Sequence, residues 1–340
     1  MDGTRRTKRK RGYSRRYCRV KLMLDIIIPA YNAHDTIGRT LHSIAMQTGL
    51  ERCRVTIVDD CSADGGYGRF VEQFSPEMEM QEVRTEQNSG PGAARQLGLD
   101  ETDGDFVTFI DADDTFLAAN SLAMLIREMM RDGLDMAGGY FLEELEDGRF
   151  VTHGENFVWM FGKVYRRSFL DRFLLRFNET RANEDTGFNT LVKALTSHYK
   201  FIPQVVYLWH YRAASITRAE GGIYAHAAGH QGYIENMAWA ISEMCRRGLN
   251  KELIRKEAVS VLCRLYFMHM GICYRSPLCA QESMECIREF YKACCEPMEE
   301  MIPPVYLQET FLEEQKRYKD DASAVIAAMT LKEFLTEVRR

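Results

Sequence analysis

Through its first half the chain alternates short apolar runs with helical patterning. Leu24–Pro29 is apolar at every position except Asp25 and predicts a strand buried on both faces. His34–Gln47 places Ile37, Leu41, Ile44 and Ala45 at helical spacing. Arg54–Val58 predicts a second strand, Gly68–Phe74 a short helix and Glu82–Thr85 a third strand. Gly92–Leu99 reads as a helix, and Phe106–Ile110 as a strand running into Asp111-Ala112-Asp113-Asp114. Ser121–Arg131 puts Leu122, Leu125, Ile126 and Met129 on one helical face, and Met136–Leu142 predicts a further strand. Strands alternating with helices predict an α/β fold, with a mostly parallel sheet flanked by helices.

The pattern then changes twice. Residues 150–218 are mixed, with aromatic and basic side chains interleaved at Phe157, Trp159, Phe161, Lys163 and Tyr165. After Gly221-Gly222 helical periodicity takes over. Ile234, Met237, Ala238, Ile241 and Met244 form one apolar face, and Leu253, Ala258, Val261, Leu262 and Leu265 another. Three parts are expected: a basic leader at 1–22, an α/β domain at 23–218 and an all-α C-terminal domain at 219–340.

Composition changes the picture in three places. The 340 residues are 46% hydrophobic and 27% charged, which fits a folded globular chain. No apolar run approaches the ~20 residues of a membrane-spanning helix. The net charge of −5 conceals an asymmetry: residues 1–21 hold ten Lys or Arg and one acid, the remainder 34 bases and 48 acids. The leader lacks the apolar core of a secretory signal. It reads in three ways: a disordered tail, a tether on an anionic membrane surface, or sequence upstream of a start at Met23. N-terminal sequencing of the native protein separates the last reading from the others. The ten cysteines include no C-x-x-C pair and read as reduced thiols of a cytoplasmic protein. The acidic body disfavours a nucleic-acid partner.

In an open α/β sheet, ligands bind beyond the carboxyl ends of the strands. Two acidic clusters fall there, Asp59-Asp60 and Asp111-Ala112-Asp113-Asp114. The period of two along an extended chain puts Asp111 and Asp113 on one side, where they suit a hard cation such as Mg²⁺ or Mn²⁺. A dinucleotide-binding sheet needs G-x-G-x-x-G in its first turn. Here that turn is Pro29-Ala30-Tyr31-Asn32-Ala33, without glycine.

Further segments follow in order. They are Asn88-Ser89-Gly90-Pro91-Gly92-Ala93-Ala94-Arg95, Gly162-Lys163-Val164-Tyr165-Arg166-Arg167, Asn183-Glu184-Asp185-Thr186, and Tyr211-Arg212-Ala213-Ala214-Ser215. With Pro29-Ala30-Tyr31-Asn32 and the two acidic clusters, they resemble the family 2 inverting glycosyltransferases over about residues 24–218. The resemblance implies the GT-A fold and a nucleotide-diphosphate sugar donor, UDP by family habit. It also implies a glycan or lipid-linked acceptor of bacterial surface polysaccharide synthesis. The cofactor implied is Mn²⁺ or Mg²⁺.

The resemblance also assigns roles. Pro29 and Tyr31 would hold the nucleoside, and Asp60 would hydrogen-bond its base. Arg95 would lie near the donor phosphates, although the family's usual R-N pair reads Arg95-Gln96 here. Asp111 and Asp113 would serve the ribose and the metal, with Asp113 the leading ligand. Asp185 would be the general base, with Glu184 as its substitute. His210 and Arg212 would contact the diphosphate, Ser215 more weakly, and Trp159 and Lys163 would line the donor or acceptor sugar. Peripheral contact with the inner membrane face would come through the leader or the helical domain. The alternative is a catalytically degenerate nucleotide-sugar-binding or scaffold subunit. The intact Asp60, Asp113 and Asp185 speak against it.

Overall fold

The computed structural model describes residues 22–213, 227–275, 277–317 and 329–340. Residues 1–21 of the leader, Ser215 and Gly221-Gly222 lie outside them. Four strands, β1 (Met23–Ala30), β2 (Arg52–Asp59), β3 (Glu79–Arg84) and β4 (Phe106–Phe109), run parallel in the order β3-β2-β1-β4. Helices α1 (Ile37–Ala45), α2 (Gly68–Phe74) and α3 (Pro91–Asp100) lie between them in sequence. The first helix spans its apolar positions and is shorter at both ends than the expected His34–Gln47, and His34–Thr36 form a turn.

The alternation of side chains along β1 builds two cores at once. Ile27 packs in the cluster that holds Ala94 and Leu99 of α3. Ile26 and Ile28 pack in the opposite cluster with Ile37 and Leu41 of α1. All three isoleucines are fully buried, each stabilising the fold by about 1.5–3 kcal/mol. Asp25 breaks this run and is just as buried. An unpaired charge there would cost several kcal/mol. Its carboxylate instead accepts from the Gly104 amide at 2.6 Å, Arg54 Nε at 2.9 Å and Arg167 Nη2 at 3.3 Å.

The stretch that read as mixed, 150–218, supplies three strands to the second half of the sheet, which it shares with the expected strand at 136–142. After β5 (Thr115–Phe116) and α4 (Ser121–Asp132) come β6 (Met136–Glu144), β7 (Phe150–His153) and β8 (Lys163–Arg166). Helices α5 (Arg167–Arg172) and α6 (Glu184–Leu195) precede β9 (Tyr199–Trp209). The order continues β4-β8-β6-β9-β5, with β7 paired to β6. β8 lies antiparallel between β4 and β6, whereas β6 and β9 are parallel, so this half of the sheet is mixed. Pro203 sits inside β9, where the register jumps from Gly139↔Ile202 to Tyr140↔Val205. A proline has no N–H for the ladder and is tolerated at such a bulge.

The chain then turns helical: α7 (Ala227–Arg246), α8 (Lys251–Arg275), α9 (Pro277–Phe290), α10 (Pro304–Arg317) and α11 (Leu331–Val338). α7 packs against α6. One buried cluster runs from Ile27 and Phe188 through Met237 and Leu265 to Phe334. Leu253 departs from its expected place: it is exposed, and its neighbour Ile254 faces the core. Thr330 and Glu333 close a reciprocal capping box at the start of α11. No described helix is long and apolar enough to cross a membrane. The described cysteines, Cys53 and Cys61 among them, are free thiols.

Candidate active site

A cleft of about 600 Å³ opens beyond the carboxyl ends of β1, β2 and β4, where open α/β sheets place ligands. Pro29, Tyr31, Asp60, Arg95, Asp111, Asp113, Trp159, Glu184, Asp185 and Arg212 all line it. Tyr31 presents its ring to solvent at 47% exposure, an open aromatic face at the mouth of a strand. Asp60 is buried and holds the loop that follows β3. Its carboxylate accepts from the Ser89 amide at 2.9 Å, the Gly90 amide at 2.7 Å and Thr85 Oγ1 at 3.0 Å.

That loop lies against the segment leading to α6, and glycine is what permits it. A Cβ on Gly92 would stand 2.5 Å from the Asn178 carbonyl oxygen. Gly90 has φ of 91°, and a Cβ there would stand 2.9 Å from Arg181 Cα. Two asparagines at the cleft also take left-handed backbone conformations, Asn32 at φ 47° and Asn183 at φ 62°, a region asparagine enters more readily than most residues. Asn183 stands directly before α6 and turns the chain into it.

Arg95 is buried at the centre. One Nη donates to Glu184 and the other to Asp111 Oδ1 at 2.6 Å. Burial alone would lower its pKa, but the charges of Asp111, Glu184 and Asp185 outweigh that and raise it. Sequence reasoning expected this arginine near the donor phosphates; here both ends of its fork engage carboxylates.

Asp113 lies 3.7 Å from Arg212 Nη1. Burial, and then the charge of Asp111, raise its pKa. Asp114 turns inward and is fully buried. It accepts from Tyr207 Oη at 2.7 Å and from the His210 amide at 2.9 Å, fixing the strand end beneath the two cleft aspartates.

Glu184 and Asp185 open α6, where the helix dipole favours negative charge. Glu184 is buried, and burial raises its pKa despite Arg95. Asp185 keeps partial exposure at the cleft wall. Burial of its carboxyl and then the neighbouring Glu184 charge push its pKa up to about 7. A carboxylate poised near neutrality suits a general base. Its Oδ1 also accepts from the Thr186 amide at 2.7 Å.

Across the cleft stand Val158, Trp159, Phe161 and Trp209. Trp209, at the end of β9, was not singled out from sequence, nor were Asn32, Asn88 and Arg181. The pairing of β9 with β6 and with β5 brings residue 209 to this site. The available signal was an aromatic run ending directly before His210.

His210 itself is not among the residues lining the cleft. Its Nε2 meets Thr115 Oγ1 at 3.0 Å and its Nδ1 meets Glu144 Oε2 at 3.0 Å. Lys163 is also set back from the cleft, fully buried beneath it, with Nζ donating to the Trp159 carbonyl. Burial lowers its pKa to about 7. Among the described residues no three His, Cys, Asp or Glu side chains converge on one metal position.

The parallel half-sheet thus carries paired aspartates at its strand ends, and the carboxylate-led helix α6 lines the same cleft. Residues 25–193 match the family Glycosyl transferase family 2. Glycosyltransferase GlyA of Streptococcus pneumoniae is 26% identical over 233 residues, 60% of this chain and 33% of that one. The first three curated relatives are spanned over only 33%, 62% and 63% of their lengths. The crystal structure of S. aureus TarS 1-349 in complex with UDP-GlcNAc superposes with a TM-score of 0.66 at 18% identity, covering 88% of this chain and 92% of that one. The mannosyltransferase PcManGT from Pyrobaculum calidifontis, in complex with GDP-Man and Mn²⁺, does so with a TM-score of 0.53 at 16% identity, covering 90% and 85%. The chain belongs to glycosyl transferase family 2, through a domain of GT-A fold.

Proposed function

We propose that this protein transfers a sugar, with inversion, from a nucleotide-diphosphate donor to a hydroxyl of a bacterial surface glycan or its lipid-linked precursor. UDP is the nucleotide this reading favours, because the TarS structure of similar fold holds UDP-GlcNAc. The observation that carries the reading is the position of Asp185. It is a carboxylate with pKa about 7, in the cleft wall, on the helix that Arg95 joins to the Asp111 strand end.

In this mechanism Asp185 takes the proton of the acceptor hydroxyl as that oxygen attacks the anomeric carbon. The bond from that carbon to the diphosphate oxygen breaks on the opposite face, and the nucleoside diphosphate leaves with the electron pair. Tyr31, Pro29 and Asp60 would hold the nucleoside, Asp60 through the Ser89-Gly90 loop it fastens. Arg212 would meet the diphosphate, for which its planar fork is suited.

Asp111 and Asp113 fit a divalent cation. They are two hard carboxylates at one strand end, and the charge of Asp111 opposes ionisation of Asp113, a repulsion that a cation relieves. Mn²⁺ or Mg²⁺ held by these carboxylates would neutralise the charge on the leaving diphosphate. A cytoplasmic location, with peripheral contact at the inner membrane face, belongs to the same reading.

The test is release of nucleoside diphosphate from a panel of UDP-, GDP- and dTDP-sugars, with and without Mn²⁺. Release from at least one donor is the expected result. Donor binding without turnover of any donor would favour the non-catalytic binding subunit.

A further inference from the structure

We propose that the acceptor presents an uncharged sugar ring, held face-on against the indoles of Trp159 and Trp209. The inference rests on the sugar-transfer reading above and names the substrate class of its second subsite.

The two indoles come from segments 50 positions apart, with ring centroids 6.1 Å apart and planes inclined at 44°. Phe161 stands behind both, at 6.2 Å from Trp159 and 5.3 Å from Trp209. It is itself stacked on buried Tyr207 at 4.9 Å. Phe141 meets Trp159 edge-on at 5.4 Å. The wall is therefore backed by the core and cannot fold away.

Its backbone is pinned from beneath as well. The Trp159 carbonyl accepts from Lys163 Nζ and, at 3.2 Å, from Asn189 Nδ2. Asn189 is held in turn by Tyr165 Oη at 2.7 Å. Asn189 lies four residues after Asp185 on α6, so the same helix sets both the wall and the base. An apolar ring face with polar edges matches such a surface, because aromatic side chains bury apolar area without needing a charged partner.

Charge argues against the competing acceptor, a phosphodiester polymer. Five carboxylates line the cleft, Asp60, Asp111, Asp113, Glu184 and Asp185, against three arginines. Arg95 is spent on Asp111 and Glu184. Arg181 donates to the Asn88 carbonyl at 3.1 Å, beside the loop Asp60 holds. Arg212 stands 3.7 Å from both Asp113 and Asp35. A repeating phosphate chain wants arginine forks along its path, and the donor's diphosphate adds further negative charge here.

The full chain, with UDP and Mn²⁺ present, is titrated by tryptophan fluorescence with lactose, cellobiose and chitobiose, and separately with a ribitol-phosphate oligomer. At least one neutral saccharide is expected to saturate the signal in the millimolar range while the oligomer does not. Trp159→Ala should weaken that saccharide roughly tenfold and Trp159→Phe far less. Trp209→Leu serves as the second variant where Trp159→Ala does not fold. Saturation by the oligomer alone, binding to Trp159→Ala as tight as to the wild type, or saturation by no saccharide overturns the proposal. Nucleoside-diphosphate release from each UDP-, GDP- and dTDP-sugar is measured on separate samples, with each of the saccharides and with the oligomer. Its absence with every donor and every acceptor overturns the transfer reading, and its presence without saccharide binding overturns only the acceptor assignment.

Discussion

Arg95 donates to Glu184 inside the protein, and both side chains are only 5% exposed. This pair joins α3 to the first turn of α6. Because the other Nη reaches Asp111, one guanidinium holds a strand-end aspartate and the carboxylate-led helix in a single frame.

Removing that guanidinium should therefore cost stability as well as activity. Arg95→Met leaves Glu184 buried without a counter-charge, a change of about 3 kcal/mol or more for a broken buried pair. Arg95→Lys should recover only part, since an ammonium cannot serve two carboxylates with a planar fork. Urea denaturation measures both, and a Met variant as stable as the wild type would contradict the assignment.

The pH dependence follows from Asp185. Its pKa is raised to about 7, by burial first and by Glu184 second, and a general base must be ionised. kcat/KM should be full above that value and fall about tenfold per unit as pH drops below it. The same shift acts on stability with the opposite sign. The folded state holds this proton more tightly than the unfolded chain, so stability declines as pH rises from the usual carboxylate range toward 7. A flat activity profile between pH 5 and 8, measured as nucleotide release, would count against Asp185.

Asp113→Asn should weaken donor binding when Mn²⁺ is present and make binding nearly indifferent to the metal. Chelation of the wild type should have the same effect. Calorimetric titration with UDP, with and without Mn²⁺, reads both, and an undiminished metal response in the variant would exclude Asp113 as a ligand.

Gly92→Ala tests the packing of the first turn of α3, where the loop ends, against the segment before α6. The new methyl meets a backbone carbonyl, which yields less easily than a side chain. Overpacking of this kind costs about 1–3 kcal/mol. The expected result is a lowered melting temperature together with weakened nucleotide binding, because the loop also carries the amides held by Asp60.

Much of this was legible in the sequence, for identifiable reasons. β1, β2 and β4 announce themselves through apolar runs, since both faces are buried, whereas the edge strand β3 is mostly polar and half-buried. β5 has two residues and shows no period, and β9 carries Pro203 in its middle. Neither is readable without the partners it pairs with. Asp60, Asp111 and Asp113 were visible because strand ends are visible, and Glu184 and Asp185 through the resemblance of their segment to the family's. Their pairing was not: the Arg95–Glu184 contact spans 89 positions. Trp209 stayed hidden for the same reason, as it reaches the cleft through the long-range pairing of β9 with β6 and β5.

The proposed reaction depends on Asp185 taking the acceptor proton. Asp185→Asn keeps the side chain's shape and its place at the start of α6, and deletes the base. Measured as nucleoside-diphosphate release from the preferred donor, with donor affinity determined in parallel, turnover should fall about 10²–10⁴-fold while affinity stays within about twofold. Turnover retained at the wild-type rate, or affinity lost in a folded protein, would contradict it.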